Sequence, residues 1–341
     1  MRPALFAFLA LVVTLLVPHV VAAADPLPQH AGALPPVASG RSLGAAVGSA
    51  PDAEHPRGTI FVAAPLASCG AAIVEWDLAT SRSVRTACLG LPAGSMHVAR
   101  AGAMLYVVRE GYAGASEART LATMEIPSLR VVRRIGLPSG GTSGIATDGT
   151  LVAVASGGGL EPRRWSLTTL DTAGNVLGRS ESAGELGMPE ASVAVLGGNV
   201  YVGLAASGGV RPRLVLLDSR ATLVRQIAVE VSDSSVWLGV KGGAILVAGG
   251  SELLEVSSRL DVLARHPVSA QGKVAVSPDG RVLTGYGDEV FTDTLTLERT
   301  LPWGGHMHWV HDVLWSGTTA VEVTSEPTGG GPAVVTWVAL P

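Results

Sequence analysis

The stretch Val276-Ser277-Pro278-Asp279-Gly280-Arg281-Val282-Leu283-Thr284 indicates how this chain folds. A short apolar run meets Ser-Pro-Asp-Gly, which is a turn sequence, and a second apolar run begins directly after it. The stretch Asp288–Arg299 then repeats the arrangement with its own strand, polar turn and strand. Together the two stretches predict four short strands joined by tight turns, which form one small antiparallel sheet.

The same unit recurs along the chain, and its clearest mark is a turn glycine followed by a short apolar strand. The glycines that begin these strands are Gly58, Gly102, Gly149, Gly198, Gly243, Gly280 and Gly317. They stand 37 to 49 residues apart, which is a period typical of four-stranded propeller blades. We therefore predict an all-β fold, a seven-bladed β-propeller of four-stranded antiparallel blades, over residues 56–341.

The second half of the unit repeats as well. An apolar strand ends in Asp or a small polar residue, and the strand after the turn carries Arg. The pairs that follow this pattern are Asp77 with Arg85, Asp171 with Arg179, Asp218 with Arg225, and Asp293 with Arg299. We predict that the Asp side chains bond the backbone just ahead of them. We also predict that the Arg side chains stand in solvent, because charge on outer strands opposes edge pairing.

Two of these stretches resemble a known superfamily. Ser277–Leu283 and Ile73–Thr80 are similar to the strand and turn pattern of the YVTN and WD-repeat-like β-propellers. The resemblance extends over residues 56–341 at the level of the repeat. It implies the propeller fold and says almost nothing about activity.

The composition agrees with one large β domain. Of the 341 residues, 47% are hydrophobic and 15% are charged, so the chain can bury a sizeable core. The formal net charge is −4, which argues against general binding of nucleic acid. The glycine-rich runs do not precede predicted helices, which argues against a phosphate-binding loop of the P-loop kind.

The first residues have the features of a secretory signal peptide, which we assign to residues 1–24. A basic start leads into an apolar run, and small residues end at Ala24. The alternative is an uncleaved membrane anchor; after signal removal we expect no membrane span. Residues 25–55 are rich in Pro, Ala and Gly and predict a flexible leader, in which one strand near 41–47 closes the ring. We expect an exported protein, periplasmic or extracellular.

The chain has two cysteines, Cys69 and Cys88. In an exported protein a single pair of cysteines indicates one disulfide. The spacing matches no metal-ligand motif and no haem attachment motif. We therefore predict a disulfide that closes a loop of about 20 residues.

Blades 2 to 4 are longer than blades 5 and 6, and the extra residues lie between the second and third predicted strands. These loops share one face of a propeller, where binding residues are commonly carried on a rigid frame. The charged and aromatic residues that we assign to this binding face are Arg109, Glu110, Tyr112, Arg163, Arg164, Arg211 and Arg213. Arginines are suited to bidentate contacts with carboxylate or phosphate, while the other reading is an ordinary solvated loop.

A second candidate site is the run Gly304-Gly305-His306-Met307-His308-Trp309-Val310-His311-Asp312. On an extended strand His306 and His308 point the same way, roughly 7 Å apart. With Asp312 they predict a transition-metal site, either copper or zinc. The alternative is a polar segment that packs at a blade junction without metal. No other cofactor is assigned.

These observations favour a non-enzymatic exported propeller that binds a protein, a glycan or a small ligand on its loop face. The alternative is a propeller enzyme, either a lactonase-like hydrolase or a quinoprotein-like oxidoreductase. Such chemistry requires carboxylates or imidazoles that converge at the channel mouth around a metal or cofactor.

Overall fold

The computed structural model describes residues 28–38, 41–110, 119–138, 143–157, 164–183, 191–205, 211–231, 236–269, 272–285, 288–303, 309–325 and 332–341. Within these residues the strands form seven four-stranded antiparallel sheets. The innermost strands of successive sheets contact one another in a closed ring. The predicted seven-bladed β-propeller is therefore confirmed. No helix of the described residues is long and apolar enough to span a lipid bilayer.

The first strand, β1 (His30–Ala33), belongs to the last blade, and every other blade is continuous in sequence. Blade 1 contains β2 (Gly44–Val47), β3 (Thr59–Leu66), β4 (Gly70–Asp77) and β5 (Arg82–Cys88). Blade 2 contains β6 (Met96–Ala101), β7 (Met104–Arg109), β8 (Thr120–Glu125) and β9 (Arg130–Gly136). Blade 3 contains β10 (Ser143–Thr147), β11 (Leu151–Ser156), β12 (Arg164–Asp171) and β13 (Val176–Ala183).

The remaining blades follow the same order, from the channel outward. Blade 4 contains β14 (Ala191–Leu196), β15 (Asn199–Leu204), β16 (Arg213–Leu217) and β17 (Leu223–Ala228). Blade 5 contains β18 (Trp237–Lys241), β19 (Ala244–Gly249), β20 (Glu252–Ser257) and β21 (Val262–Pro267). Blade 6 contains β22 (Val274–Val276), β23 (Val282–Thr284), β24 (Glu289–Phe291) and β25 (Leu297–Thr300). Blade 7 contains β26 (Trp309–Ser316), β27 (Thr319–Ser325) and β28 (Val334–Ala339), with β1 outermost.

The segment before residue 56 supplies two strands to the ring. The strand near 41–47 is β2, the innermost strand of blade 1, while β1 completes blade 7 by pairing with β28. The ring of His30 stacks on Trp337, with 4.0 Å between the ring centroids. The sequence of β1, His30-Ala31-Gly32-Ala33, has no apolar alternation, so the hydrophobic pattern does not predict this strand. The two ends of the chain therefore close the propeller together.

The hydrophobic core lies between the blades. In the described part of the chain, each pair of neighbouring blades encloses one apolar cluster. The cluster between blades 7 and 1 contains the fully buried side chains of Trp76 and Trp337. Because one blade cannot bury both of its faces alone, the ring is stable only as a whole.

The predicted Asp turns form in three blades. Asp77, Asp171 and Asp218 each accept backbone N–H groups two to four residues ahead, at 2.7 to 3.1 Å. In blade 6 the equivalent bond is made by Thr292, whose hydroxyl accepts the N–H of Thr296, so the prediction for Asp293 is wrong. The hydroxyl of Thr292, one residue before Asp293, thus takes the role that aspartate has in the other turns.

Of the outer-strand arginines, Arg179 and Arg225 are exposed as predicted, whereas Arg85 and Arg299 are half-buried. Arg85 in blade 1 donates hydrogen bonds to the carbonyls of Ile126 and Pro127 in blade 2. Arg225 in blade 4 reaches the turn of blade 5 in the same way, where it contacts Asp261 at 3.2 Å. These side chains therefore connect neighbouring blades at the rim.

The predicted disulfide between Cys69 and Cys88 is confirmed, with the two residues 19 positions apart. It ties the β3–β4 connection to the end of β5. We expect the double variant Cys69→Ser/Cys88→Ser to lose about 3 kcal/mol of unfolding free energy, since the open chain gains entropy when unfolded. Urea titration of wild type, variant and reduced wild type measures this loss. Equal stability of oxidised and reduced wild type would contradict it.

Candidate functional site

The meander of each blade places two kinds of connection on one face of the ring, which we call the loop face. They are the connections between second and third strands and those between successive blades. At the centre of this face, polar side chains from blades 6, 7 and 2 lie close together. We call Lys273, His311, Asp312, His97 and Glu110 the channel-mouth cluster. Each of them stands at or next to the loop-face end of an inner or second strand.

Asp312 joins three blades. Its Oδ2 accepts the N–H of Ala45 in blade 1 at 2.8 Å, and its Oδ1 lies 3.4 Å from the ammonium of Lys273 in blade 6. The ammonium also donates to the carbonyl of His311. Both carboxylate oxygens are therefore engaged by the protein, which fixes the inner strands of neighbouring blades to one another.

The predicted metal site is only partly covered by the structure. Asp312 lies in the channel-mouth cluster, while His306 and His308 lie outside the described residues. Among the described residues, no group of three His, Cys, Asp or Glu side chains is arranged to hold a metal ion. Copper or zinc at these three residues stays a prediction.

His311 is the most deeply buried histidine of the cluster. A register shift between Val310 and Asp312 leaves His311 as the extra residue of β26, and bulged residues are often re-aimed by such shifts. Its Nε2 lies 2.7 Å from the hydroxyl of Ser325 at the end of β27. Burial lowers the pKa of His311 to about 4, and the charges of Lys273 and His97 act in the same direction. The ring is therefore neutral at physiological pH.

The blade 2 side of the cluster consists of His97 and Glu110. The Nε2 atom of His97 lies 3.3 Å from Oε1 of Glu110. The backbone N–H of Glu110 donates to the carbonyl of Ser95 at 2.9 Å. Gly94 permits this approach, since a Cβ on it would stand 2.3 Å from the Glu110 carbonyl oxygen. The second strand of blade 2 is thus held tightly against the connection from blade 1.

Two buried arginines, which we call the arginine clamp, hold the ends of the β7–β8 loop. Arg109 is 2% exposed and donates to the carbonyls of Pro92 and Ala93 at 3.2 and 3.3 Å. Arg119 is 3% exposed and donates to the carbonyl of Pro138 at 3.0 Å. Burial lowers the pKa of Arg119, and the neighbouring Glu110 carboxylate opposes this effect. Each end of the loop is therefore fixed to a connection between blades.

The arginine clamp was not expected from the sequence. Arg109 and Glu110 were assigned to an exposed loop, and the structure shows both side chains buried at its base. Arg119 shares this position. A charged residue next to a glycine-rich segment looks the same in a sequence whether it faces solvent or the backbone. The closest hint in the sequence was Gly94, since glycine permits two backbones to approach each other. Its approach to the Glu110 carbonyl appears only in the structure.

Of the other predicted binding residues, Arg211 and Arg213 belong to blade 4, which contributes no residue to the channel-mouth cluster. Arg211 is highly exposed and lies 3.5 Å from the carboxylate of Glu230. Arg213 begins β16 and is half-buried. Arg164 begins β12, where only its backbone is described, and Tyr112 and Arg163 lie outside the described residues. A shared arginine patch on blades 3 and 4 stays a prediction.

The arginine clamp leads to a first test of this site. We expect Arg109→Ala to lose about 2 kcal/mol or more of unfolding free energy, because buried carbonyls lose their charged donor. Arg211→Ala is the matched control and should change stability by less than about 0.5 kcal/mol, since its ion pair is exposed. Denaturant titration of both variants measures the two changes in unfolding free energy. A similar small effect for both would show that the clamp does not stabilise the fold.

Sequence comparisons assign no relative to the chain. No protein-family model matches it, and no curated protein matches it.

Comparison of structures finds the same fold in other proteins. The β-propeller domain of Cps50 (Swd1) from Myceliophteria thermophila has a TM-score of 0.59 at 13% identity, over 92% of this chain and 100% of that chain. A chain of a mitotic checkpoint complex has a TM-score of 0.64 at 12% identity, over 100% and 99%. A chain of Kuenenia stuttgartiensis hydrazine synthase has a TM-score of 0.55 at 16% identity, over 75% and 83%. At these identities the likeness shows that the chain is a β-propeller and assigns no family within that fold.

Proposed function

We propose that this protein is an exported binding scaffold that engages its partner through the loop face. The observation that carries the proposal is the arginine clamp. Two buried guanidinium groups hold both ends of one loop. Arg109 donates to two carbonyls. Arg119 donates to one, and its Nε and Nη2 atoms are buried without a hydrogen-bond partner among the described residues. Both ends of this loop are thus anchored in the frame of the ring, and we expect the binding residues in the segment between them, 111–118. Binding residues on loops above a rigid frame are a common arrangement.

The residue types in this loop and its neighbours are suited to binding a partner. Tyr112 and Arg163 belong to residue types that are enriched at interfaces, where they combine apolar area with directed hydrogen bonds. A protein, a glycan or a small ligand would each suit such a face. One fold neighbour is a chain of a mitotic checkpoint complex, which agrees with a protein partner. The disulfide agrees with an oxidising compartment, and the signal-like first 24 residues support export.

The test compares the two faces of the ring. The immobilised protein is exposed to the exported fraction of its source, and bound species are identified by mass spectrometry. We expect one dominant species to bind the wild type and to be lost when 111–118 is replaced by a Gly-Ser segment of equal length. Arg220→Ala/Arg259→Ala, in turns on the opposite face, is the control and should retain it. Loss by the control alone, or no bound species at all, would overturn the proposal.

The second candidate function is a propeller enzyme with a metal or cofactor at the channel mouth. It is favoured by one observation, the convergence of imidazole, ammonium and carboxylate groups in the channel-mouth cluster. If the metal prediction holds, the purified protein should contain copper or zinc that His306→Ala/His308→Ala removes. Wild-type protein free of transition metal after mild purification would exclude this form of the enzyme. Activity on lactones or on redox dyes would then be tested separately.

A further inference from the structure

We propose that Ser325 and His311 form a serine–histidine pair that transfers acyl groups from carboxylic esters or lactones at the channel mouth. The proposal goes beyond the binding scaffold, and it requires no metal or cofactor. It starts from a juxtaposition that the sequence does not suggest. Fourteen residues separate the two side chains along the chain, and the β26–β27 hairpin brings them together.

The geometry is that of a nucleophile and its base. The Oγ of Ser325 lies 2.7 Å from Nε2 of His311, which is within hydrogen-bond reach. The pairing of Trp309 with Ser325 and the bulge at His311 bring the ring to the end of β27. Ser325 is partly exposed on the loop face, and His311 is buried behind it. A substrate can therefore approach the hydroxyl while the ring stays shielded from water.

Asp312 does not complete a triad with the pair, because its two oxygens are engaged by the N–H of Ala45 and by the ammonium of Lys273. His311 therefore accepts the hydroxyl proton without a carboxylate to assist it. An unassisted base requires a reactive carbonyl with a good leaving group. This requirement indicates an ester or a strained lactone and argues against an amide.

Lys273 supplies the electrostatic part of the site. Its ammonium donates to the His311 carbonyl and lies 3.4 Å from Asp312, so it is held beside the backbone of His311. Its side chain is 23% exposed. A fixed positive charge beside a reacting carbonyl stabilises the oxyanion that forms there. Asp312 acts as a positioning residue, because it holds Lys273 and the N–H of Ala45 without facing the hydroxyl.

The reaction proceeds in two halves. The Ser325 oxygen forms a bond to the carbonyl carbon, the carbonyl electron pair moves onto its oxygen, and the hydroxyl proton passes to His311. The carbon–alkoxy bond then breaks, and the leaving alkoxide takes the proton from His311, which leaves an acyl-serine. Water attacks this ester as His311 takes its proton. The bond to the Ser325 oxygen breaks, the serine recovers a proton, and the carboxylic acid is released.

The experiment uses the full chain and a fluorophosphonate probe, whose phosphorus is attacked by an activated serine with loss of fluoride. We expect one adduct per molecule by intact mass, and peptide mass spectrometry should place it on Ser325. Ser325→Ala should take no probe. His311→Gln should react roughly 100-fold more slowly, because the general base is lost. p-Nitrophenyl acetate provides a second readout through the acetyl-serine that accumulates.

Two controls separate a catalytic pair from a structural hydrogen bond. Ser192→Ala removes a loop-face hydroxyl that accepts the N–H of Leu238 and has no imidazole partner; it should react like wild type. Thermal unfolding shows whether each variant is folded. Folded wild type without an adduct on Ser325, or folded His311→Gln that reacts at the wild-type rate, would overturn the proposal. Partner capture on the loop face is measured independently, so the two proposals can fail separately.

Discussion

Replacement of Gly178 by alanine is expected to lower the unfolding free energy by roughly 3 kcal/mol, and more if the strand cannot move. A Cβ on Gly178 would stand 2.1 Å from the carbonyl oxygen of Arg220 and 2.2 Å from its carbonyl carbon. Both atoms belong to the backbone of the turn in blade 4. The clash can therefore be relieved only by separating blades 3 and 4.

The place of residue 178 in its blade explains why glycine is required there. Blades 1, 3 and 4 each have a register shift near the turn between the third and fourth strands. At the pair just before this shift, Arg85 stands in blade 1, Gly178 in blade 3 and Arg225 in blade 4. Arg85 and Arg225 reach across to the next blade with a side chain. In blade 3 the next blade comes into direct contact, and glycine is the residue that permits it.

Gly136→Ala is the matched control for this prediction. Gly136 ends the outer strand of blade 2, and a Cβ on it would have no neighbour within 4 Å. We expect it to be neutral or stabilising by about 0.5 kcal/mol, since alanine restricts the unfolded chain. The urea midpoint should therefore fall for Gly178→Ala and stay the same or rise slightly for Gly136→Ala. Equal midpoints would show that the close approach of the two blades is not maintained in solution.

The architecture could be predicted because it is repeated. A turn glycine precedes each second strand, such as Gly198 or Gly243. The period is recognisable from the seven copies together, even where one blade is irregular. The closing strand β1 could not be predicted, since His30-Ala31-Gly32-Ala33 is short and lacks apolar alternation. Its position depends on the stacking of His30 on Trp337, which is a contact between the two ends of the chain.

The candidate site was harder to predict for a related reason. Its residues come from separate blades, and each looks ordinary in its own segment. Lys273 and Ser325 stand in segments that carry no recognisable motif. The partners of His311 and Asp312 depend on where inner strands meet around the ring, which no local pattern encodes. Local turns are set by neighbouring residues, whereas the cluster is set by closure of the whole propeller.

The second large effect concerns Glu322, a carboxyl buried between blades 6 and 7. Glu322 is 2% exposed and lies on β27, opposite Val313 and Thr336. Burial raises the pKa of Glu322 to about 8, and the charge of the nearby Asp288 acts in the same direction. In the unfolded chain this carboxyl ionises near its ordinary value of 4.5. The folded state therefore keeps a proton that the unfolded state releases.

The sign of the pH dependence follows from this difference. Between pH 4.5 and about 8 the folded protein binds more protons than the unfolded chain, so the contribution of Glu322 to stability falls as the pH rises. Above this range the loss is complete. Glu322→Gln keeps the shape of the side chain and cannot ionise. We expect the variant to match wild type near pH 4.5 and to be more stable by roughly 3 to 5 kcal/mol above pH 8.5.

Urea titration at a series of pH values between 4.5 and 9 measures this difference. Glu181→Gln, on the exposed outer strand of blade 3, is the control and should parallel wild type at every pH. A constant offset between Glu322→Gln and wild type would contradict the prediction, because it would mean that Glu322 ionises alike in both states. A widening gap would instead show that blades 6 and 7 enclose a carboxylic acid at neutral pH. The junction would then be weakest in alkaline solution, where the trapped proton is lost and two carboxylates must share the same buried space.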